Sequence, residues 1–451
     1  MRWVPLVAAV VLIVFIWAGC ASEAPKPGLI SGAHQPDSGS LLVRCGRFID
    51  GLENDARNGV EIYIANGRIE AVGENLEVPD GTTLLDLSRF TVLPGLIDMH
   101  THLADRPGST ADLSVYFELP REQQLEEGRE NAAVTLAAGF TSVRDVGTYV
   151  AFMDKAIRDE IDSGRAIGPR MQAAGYYLTI PGGGGDLVIP GFEEKDIPDR
   201  VRQGVARGSE QFRSKAQAAI DDGADVLKVI ASGAVLAYGG VPGEPEMTEE
   251  EIEAVAEVAH ASGKKVAAHA HGARSIQEAI RAGADTIEHA SLIDDETIAL
   301  AAERKVALSM DVYNGDYIAT EGKRQGWPEE FLRKNEETTE AQRQGFTKAY
   351  HAGVPIVFGT DSAVYPHGEN AKQFRIMVER GMKPMDAIRA ATSVAARYMG
   401  WEDRVGALEE GRFGDLIAVE GDPLEDIAVL ENVAVVVKGG LVYRAPSDVV
   451  R

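Results

Sequence analysis

Between Pro94 and about Gly400, eight short apolar runs alternate with amphipathic segments, and this alternation restricts the fold more than any other feature of the chain. The runs are LPGLIDMH, TSVRDVG, RMQAAGYYL, VLKVIASG, VAAHAHG, TIEHAS, ALSMDVYN and PIVFGTD. Runs that are apolar on both faces suit strands buried between layers, and helical segments between them favour parallel pairing with the helices outside. In one such segment, MTEEEIEAVAEVAHASG, Thr248 and Glu251 are spaced for a capping box and Gly263 marks the stop. The segment SIQEAIRAGA ends in the same way. Eight βα units predict a (β/α)8 (TIM) barrel over residues 93–404, an arrangement that gathers functional side chains at the C-terminal ends of the strands.

The flanks have a different texture. Residues 41–92 contain VEIYIANGRIEAVG and TTLLDL, with Asn66-Gly67 as a type I′ hairpin signal, and residues 405–451 contain GDLIAVEG and VAVVVKGGLVYR. The two ends are expected to pair into a small β-sandwich satellite domain. A length of 451 residues, 45% of them apolar, accommodates the barrel and its companion in one α/β chain. The formal charge of −25 repels nucleic acid, which is excluded as a partner. Two cysteines, neither in a CxxC pair, leave any metal to His, Asp, Glu or Lys.

Residues 1–19 carry one charge, Arg2, then an apolar stretch closing on Ala18-Gly19 before Cys20. This resembles a bacterial lipoprotein signal peptide, with Cys20 as the lipidated residue and residues 20–40, rich in Pro, Gly and Ser, as a flexible tether. An uncleaved anchor spanning about 30 Å of hydrocarbon, or ordinary secretion, are the alternatives. All three place the protein outside the cytoplasm. The lipoprotein reading puts it in the bacterial cell envelope, facing the periplasm or exterior and held to the membrane by lipid.

His100 and His102 lie two residues apart in a strand, so their imidazoles share a face and can grip one metal. His269, His289 and Asp361 each end a further predicted strand. The chain has only nine histidines, and four of them at strand ends of one barrel point to a divalent metal site. Lys228 sits within an apolar strand, where a protonated amine is destabilised and cannot ligate a cation. It either carries carbon dioxide as a carbamate, an anionic ligand able to bridge two metals, or it snorkels or pairs with a carboxylate.

The runs LPGLIDMHTHL, AAHAHG, IEHAS and FGTDS, the strand-end lysine, and the tail MDAIRAATSVAARYMG…VGALEEGRFGDLIAVEGDPLEDI resemble the amidohydrolase superfamily. The match covers nearly all of the chain after the tether. More narrowly, it resembles the imidazolonepropionase-related branch that includes Xaa-Pro dipeptidases (prolidases) and Xaa-Arg/Lys carboxypeptidases. The resemblance implies two zinc ions: one on His100, His102 and Asp361, the other on His269 and His289, with carbamylated Lys228 (N6-carboxylysine) between them. It also implies hydroxide held by the metals as nucleophile, and Asp361 as the group that takes the proton and returns it to the departing amine.

The implied substrates are dipeptides or N-acyl amino acids, with Xaa-Pro favoured over Xaa-Arg/Lys peptides and over cyclic, imidazolone-like amides. A lipid-anchored binding protein with a decayed site is the non-enzymatic alternative, but every ligand position is filled. A homo-oligomer is left open. His271 shares the face of His269 and is expected to touch substrate rather than metal. Tyr238, Tyr313, Asn314, Arg144 and His367 are further substrate-binding candidates. The loop Pro181 to Asp186 follows the third strand, where relatives often carry a GGHGD-like stretch; Gly184 takes the place of the histidine. The glycine run lacks the Lys-Ser/Thr of a phosphate cradle and reads as a flexible rim.

Overall fold

The structure is a computed structural model that describes residues 39–450. The expected signal peptide, the lipidation at Cys20 and nearly all of the tether lie outside the described residues. Ser40, the last tether position, already opens a strand. Among the described residues no helix is long and apolar enough to cross a membrane.

The expected parallel strands are present. They are Leu96–Thr101, Phe140–Asp145, a third in two pieces (Arg170–Ala173 and Tyr177–Leu178), Val226–Ile230, Lys265–Gly272, Thr286–Leu292, Ala307–Ser309 and Ile356–Val357. Ladder pairing forms two parallel arcs, the first ending at Arg170–Ala173 and the second beginning at Tyr177–Leu178. The break falls at Gly175, whose φ of 85° and close approach to the Phe152 ring exclude a side chain. Single hydrogen bonds join the arcs into a ring: Asp225 N to Ala173 O (2.8 Å) on one side, Met99 N to Phe358 O and Asp361 N to His100 O (both 2.8 Å) on the other. The fold is a (β/α)8 barrel with a β satellite.

Helices cover the ring as the alternation demands. Glu249–Ala261 starts with the expected capping box, Thr248 Oγ1 accepting from Glu251 N and Glu251 Oε2 from Thr248 N, an arrangement worth about 1 kcal/mol. It buries Ile252, Val255 and Ala259 against the strands. The seventh and eighth strands are shorter than their apolar runs. After Ser309 the backbone turns, Asn314 N bonding to Asp311 O, and this turn brings the Asp311 carboxylate to His289.

Both chain ends contribute to one eight-stranded sheet. Thr83–Pro94 pairs in parallel with Ser40–Phe48 and antiparallel with Leu416–Val419, which is followed in order by Val433–Lys438 and Leu441–Arg444. The expected sandwich takes the form of this single sheet folded around one core that includes Val43, Ile62, Leu85, Leu87, Val435 and Val437. Asn66 and Gly67 have φ of 52° and 77°, as a type I′ turn requires.

The barrel meets the satellite at Arg170, which grips Asp415 through two nitrogens (2.8 and 3.1 Å), and at Lys438, which donates to Gly168 O. Burial, reinforced by the Arg170 charge, lowers Lys438 from 10.5 to about 8. Between these two values the unfolded chain binds more protons than the folded one, so this group makes stability rise as pH climbs through that window. Lys438→Met should flatten that rise when urea unfolding is compared at pH 7.5 and pH 10. Identical slopes in the two proteins would show that the amine titrates normally.

Candidate metal centre

His100 and His102 leave the first strand on one face, as the period of two requires, with ring centroids 5.3 Å apart. His289 lies 4.9 Å from His100 and 4.5 Å from His269, centroid to centroid. Asp361 Oδ1 is 3.1 Å from His102 Nε2 and 3.5 Å from His100 Nε2. Lys228 pairs in the ladder with Ala267, two residues before His269, and its long stem makes up that layer. The four histidines, the lysine and the aspartate all line one cavity.

Two of these residues reach the cavity only through unusual backbone. Thr286 and Glu288, two apart, hydrogen-bond to each other inside the barrel, so strict alternation would turn His289 outward. His289 instead adopts φ 70°, and Asp361 adopts φ 56°, left-handed conformations that cost non-glycine residues about 1–3 kcal/mol. The fold holds this strain where two ligand-type side chains have to converge.

Neighbours fix which nitrogen each imidazole presents. His100 Nδ1 meets Glu288 Oε2 (2.9 Å), His102 Nδ1 meets Gly147 O (2.7 Å) and His289 Nδ1 meets Asp311 Oδ1 (3.0 Å). His271 Nδ1 meets Ser291 Oγ (2.8 Å). In each case Nε2 is left to face the cavity, the orientation that outer partners impose on metal-binding histidines. Gln342 and Asn314 brace Asp311, and Asn314 also donates to Asp361 Oδ2 at 3.1 Å.

Burial lowers His100 and His271 to about 3 and holds His269 well below its usual value, so these rings are neutral. Burial also lowers Lys228 to about 8. Burial pushes Asp361 up, but the His102 hydrogen bond and the surrounding imidazoles outweigh it and keep the carboxylate ionised. The polar atoms Lys228 Nζ, His269 Nε2 and His271 Nε2 are buried with no hydrogen-bond partner. Unpaired groups of this kind are destabilising unless something binds them. His269, His271 and His289 bring ligand atoms within 4.8 Å of one another, and so do His100, His289 and Asp361. The donor set fits divalent metal.

Residues 91–442 match the model of the Amidohydrolase family. The chain belongs to that family. Its relatives include ochratoxinase of Aspergillus niger, 30% identical over 426 residues that cover 90% of this chain and 87% of that protein. Among solved structures, a Xaa-Pro dipeptidase with methionine bound in its active site is 36% identical, with a TM-score of 0.83 over 90% of this chain and all of that one. A prolidase complexed with N-methylphosphonate-L-proline is 28% identical, with the same TM-score and coverage. This amidohydrolase is thus a hydrolase acting on C–N bonds, and its family generally holds divalent metals.

The cavity, about 150 Å³, admits a small molecule, and its wall sorts the substrate candidates. His271 and Asn314 line it; Arg144, Tyr238, Tyr313 and His367 do not. Arg144, expected to offer charge to substrate, is 1% exposed beneath the site. Its guanidinium is committed to Glu288 (2.7 Å), Thr286 (2.9 Å) and Met99 O (2.6 Å). Tyr238 packs on Phe331 because Lys334 ties its loop through Ala237 O, and Tyr313 packs edge-on to Tyr365. His367 is buried in the loop after the eighth strand.

The glycine run is no slack rim. Gly184 N donates to Glu246 (2.8 Å), and a Cβ at Gly185 would come within 2.9 Å of Ile230 and Tyr177. Sequence reasoning passed over Glu288, Asp311, Ser291, Gln342 and Tyr177. A glutamate inside an apolar strand was the one available signal, since the others depend on backbone turns or on contacts distant in sequence.

Proposed function

We propose that this amidohydrolase is a binuclear, zinc-dependent enzyme that cleaves the amide bond of dipeptides or N-acyl amino acids, with Xaa-Pro peptides favoured. The carrying observation is that His100, His102, His269, His289 and Asp361 line one cavity together with Lys228, whose buried Nζ has no hydrogen-bond partner. The similarity to a Xaa-Pro dipeptidase and to a prolidase holding a proline derivative supports the choice of substrate.

His100, His102 and Asp361 would hold one ion and His269 and His289 the other. When bound, the ions would supply an acidified water and a Lewis acid for the carbonyl. Lys228 would serve both ions as a carbamate. Its neutral amine adds through Nζ to the carbon of carbon dioxide as one C–O π bond opens onto oxygen, and the proton shed by the nitrogen passes to solvent, which leaves an anionic carboxylate on a neutral nitrogen. The lowering of Lys228 to about 8 favours the neutral amine that this addition needs.

Asp361 takes the proton of the attacking water on its carboxylate and delivers it to the departing amine nitrogen. Asn314 steadies that carboxylate from Oδ2, and the Arg144–Glu288 pair steadies His100 from below. Thr338, Thr339 and Asn335 line the same cavity and would offer neutral polar contacts to a substrate.

The direct test is amino-acid release by the zinc-loaded protein from a panel of Xaa-Pro, Xaa-Arg, Xaa-Lys and N-acyl amino acids. Proline release is expected to dominate. Arg or Lys release would move the enzyme to the basic-carboxypeptidase alternative, and silence across the panel would reject acyclic amides.

A further inference from the structure

Once the metal-facing groups are assigned, one acidic side chain in the cavity wall is left with no ion-paired cation; His102, the histidine whose charge acts on it, is itself paired to Asp361. Asp105, in the loop three residues beyond His102, is 6% exposed and lines the cavity. The Thr148 hydroxyl donates to its Oδ1 at 2.8 Å. No Lys or Arg pairs with it, and no donor reaches Oδ2 among the described residues. The other carboxylates of the wall are engaged: Asp311 by His289, Gln342 and Asn314, and Asp361 by His102 and Asn314. The wall has no arginine, and its lysine is Lys228 of the metal centre. A buried carboxylate without a counter-charge is destabilising until a cation completes the pair.

The surroundings favour one kind of cation. Tyr116, Tyr149 and Tyr177 form a continuous aromatic wall in the same cavity, with centroid separations of 5.2 Å at both steps, and Tyr177 ends 6.0 Å from the His102 ring. Tyr116 is fixed by Ser109 and by Arg106 N, and Tyr177 by Gly147 O, so the two outer rings of the wall are held in place. Aromatic faces beside a carboxylate stabilise an organic ammonium by cation–π attraction together with ion pairing; a neutral or anionic group gains neither.

We propose that Asp105, walled by Tyr116, Tyr149 and Tyr177, receives an ammonium group of the substrate, so that the cavity selects substrates carrying that cation over neutral ones. This deepens the reading of the cavity as an amide-hydrolase site and rests on it for the identity of the substrate. The ammonium has two sources: the α-amine of a dipeptide, next to the scissile carbonyl, or a basic side chain.

NMR titration of the zinc-loaded protein with n-butylammonium, which has no bond to cleave, tests the receptor itself. Binding is expected to weaken about ten-fold or more in Asp105→Asn, a variant that keeps an oxygen for Thr148, and about three-fold in Tyr149→Leu, which keeps the carboxylate. Equal affinity in wild type and Asp105→Asn overturns the proposal whether or not any peptide is hydrolysed. Failure of the amide-hydrolase reading alone would show as silence toward peptides with butylammonium binding intact.

Relative kcat/KM values for Leu-Pro, N-acetyl-Leu-Pro and N-acetyl-Lys-Pro then separate the two sources. A preference for Leu-Pro over its acetylated form that shrinks about ten-fold in Asp105→Asn assigns the α-amine. The same shrinkage for N-acetyl-Lys-Pro over N-acetyl-Leu-Pro assigns the side chain. Ratios untouched by the substitution overturn the proposal.

Discussion

Lys228→Ala is expected to remove metal and activity together, lowering bound zinc to at most about half and kcat by about a thousandfold or more. The reason lies in the charge balance of the centre. His100, His269 and His271 are neutral rings, and Asp361 is the ionised carboxylate among the candidate ligands, so a pair of divalent ions held there would need a second anion close by. Lys228 is the side chain placed to become one, since its Nζ is buried without a partner and burial has already lowered it to about 8. Metal uptake by the apoprotein should therefore depend on bicarbonate and quicken as pH rises through about 8, where the free amine predominates. Acetate or propionate should restore part of the metal content of Lys228→Ala by filling the vacated space with a carboxylate. Full zinc content and turnover in that variant would show that Lys228 is a packing residue and that no bridge exists.

How much of this centre was legible in the sequence depended on how each residue reaches it. His100 and His102 announce themselves, because a spacing of two in a strand guarantees a shared face whatever the rest of the chain does. Lys228 is legible by contradiction, as a charge in an apolar strand. The eight-fold alternation of the barrel follows from strand and helix periods in the same way, and so does the capping box at Thr248 and Glu251.

Glu288 and Arg144 were not legible as a pair, since 144 positions separate them and Arg144 turns under the site instead of toward substrate. Strict alternation also assigns Glu288 and His289 to opposite faces. Only the left-handed backbone at His289 brings both inward, and histidine, unlike glycine, carries no sequence mark of that conformation. The tyrosine wall was hidden for another reason: Tyr116 comes from the short helix Val115–Glu118, Tyr149 from a loop and Tyr177 from the third strand, and their meeting is set by packing and not by periodicity.

Asp361→Asn should leave the fold and most substrate binding in place but lower kcat by about a thousandfold at saturating zinc, within the range for loss of a general acid–base group. The amide matches the carboxylate in shape but cannot accept a proton. It also cannot satisfy both of its neighbours. Asn314 Nδ2 donates to Asp361 Oδ2, while Oδ1 faces the Nε2 atoms of His100 and His102, where the ion would lie. An asparagine has one oxygen, so either the Asn314 contact or the metal-facing contact is lost, and zinc affinity should fall by about ten-fold as well. Saturating metal removes that second effect from the rate comparison, and the remaining loss reports proton transfer. KM should change far less than kcat, because the group acts on the reacting atoms and not on the recognition wall. A kcat within ten-fold of wild type at saturating zinc would remove Asp361 from the proton path and leave it a ligand alone. The proton would then have to travel through another group at the cavity, of which His271, with its unpartnered Nε2, is the nearest in chemistry.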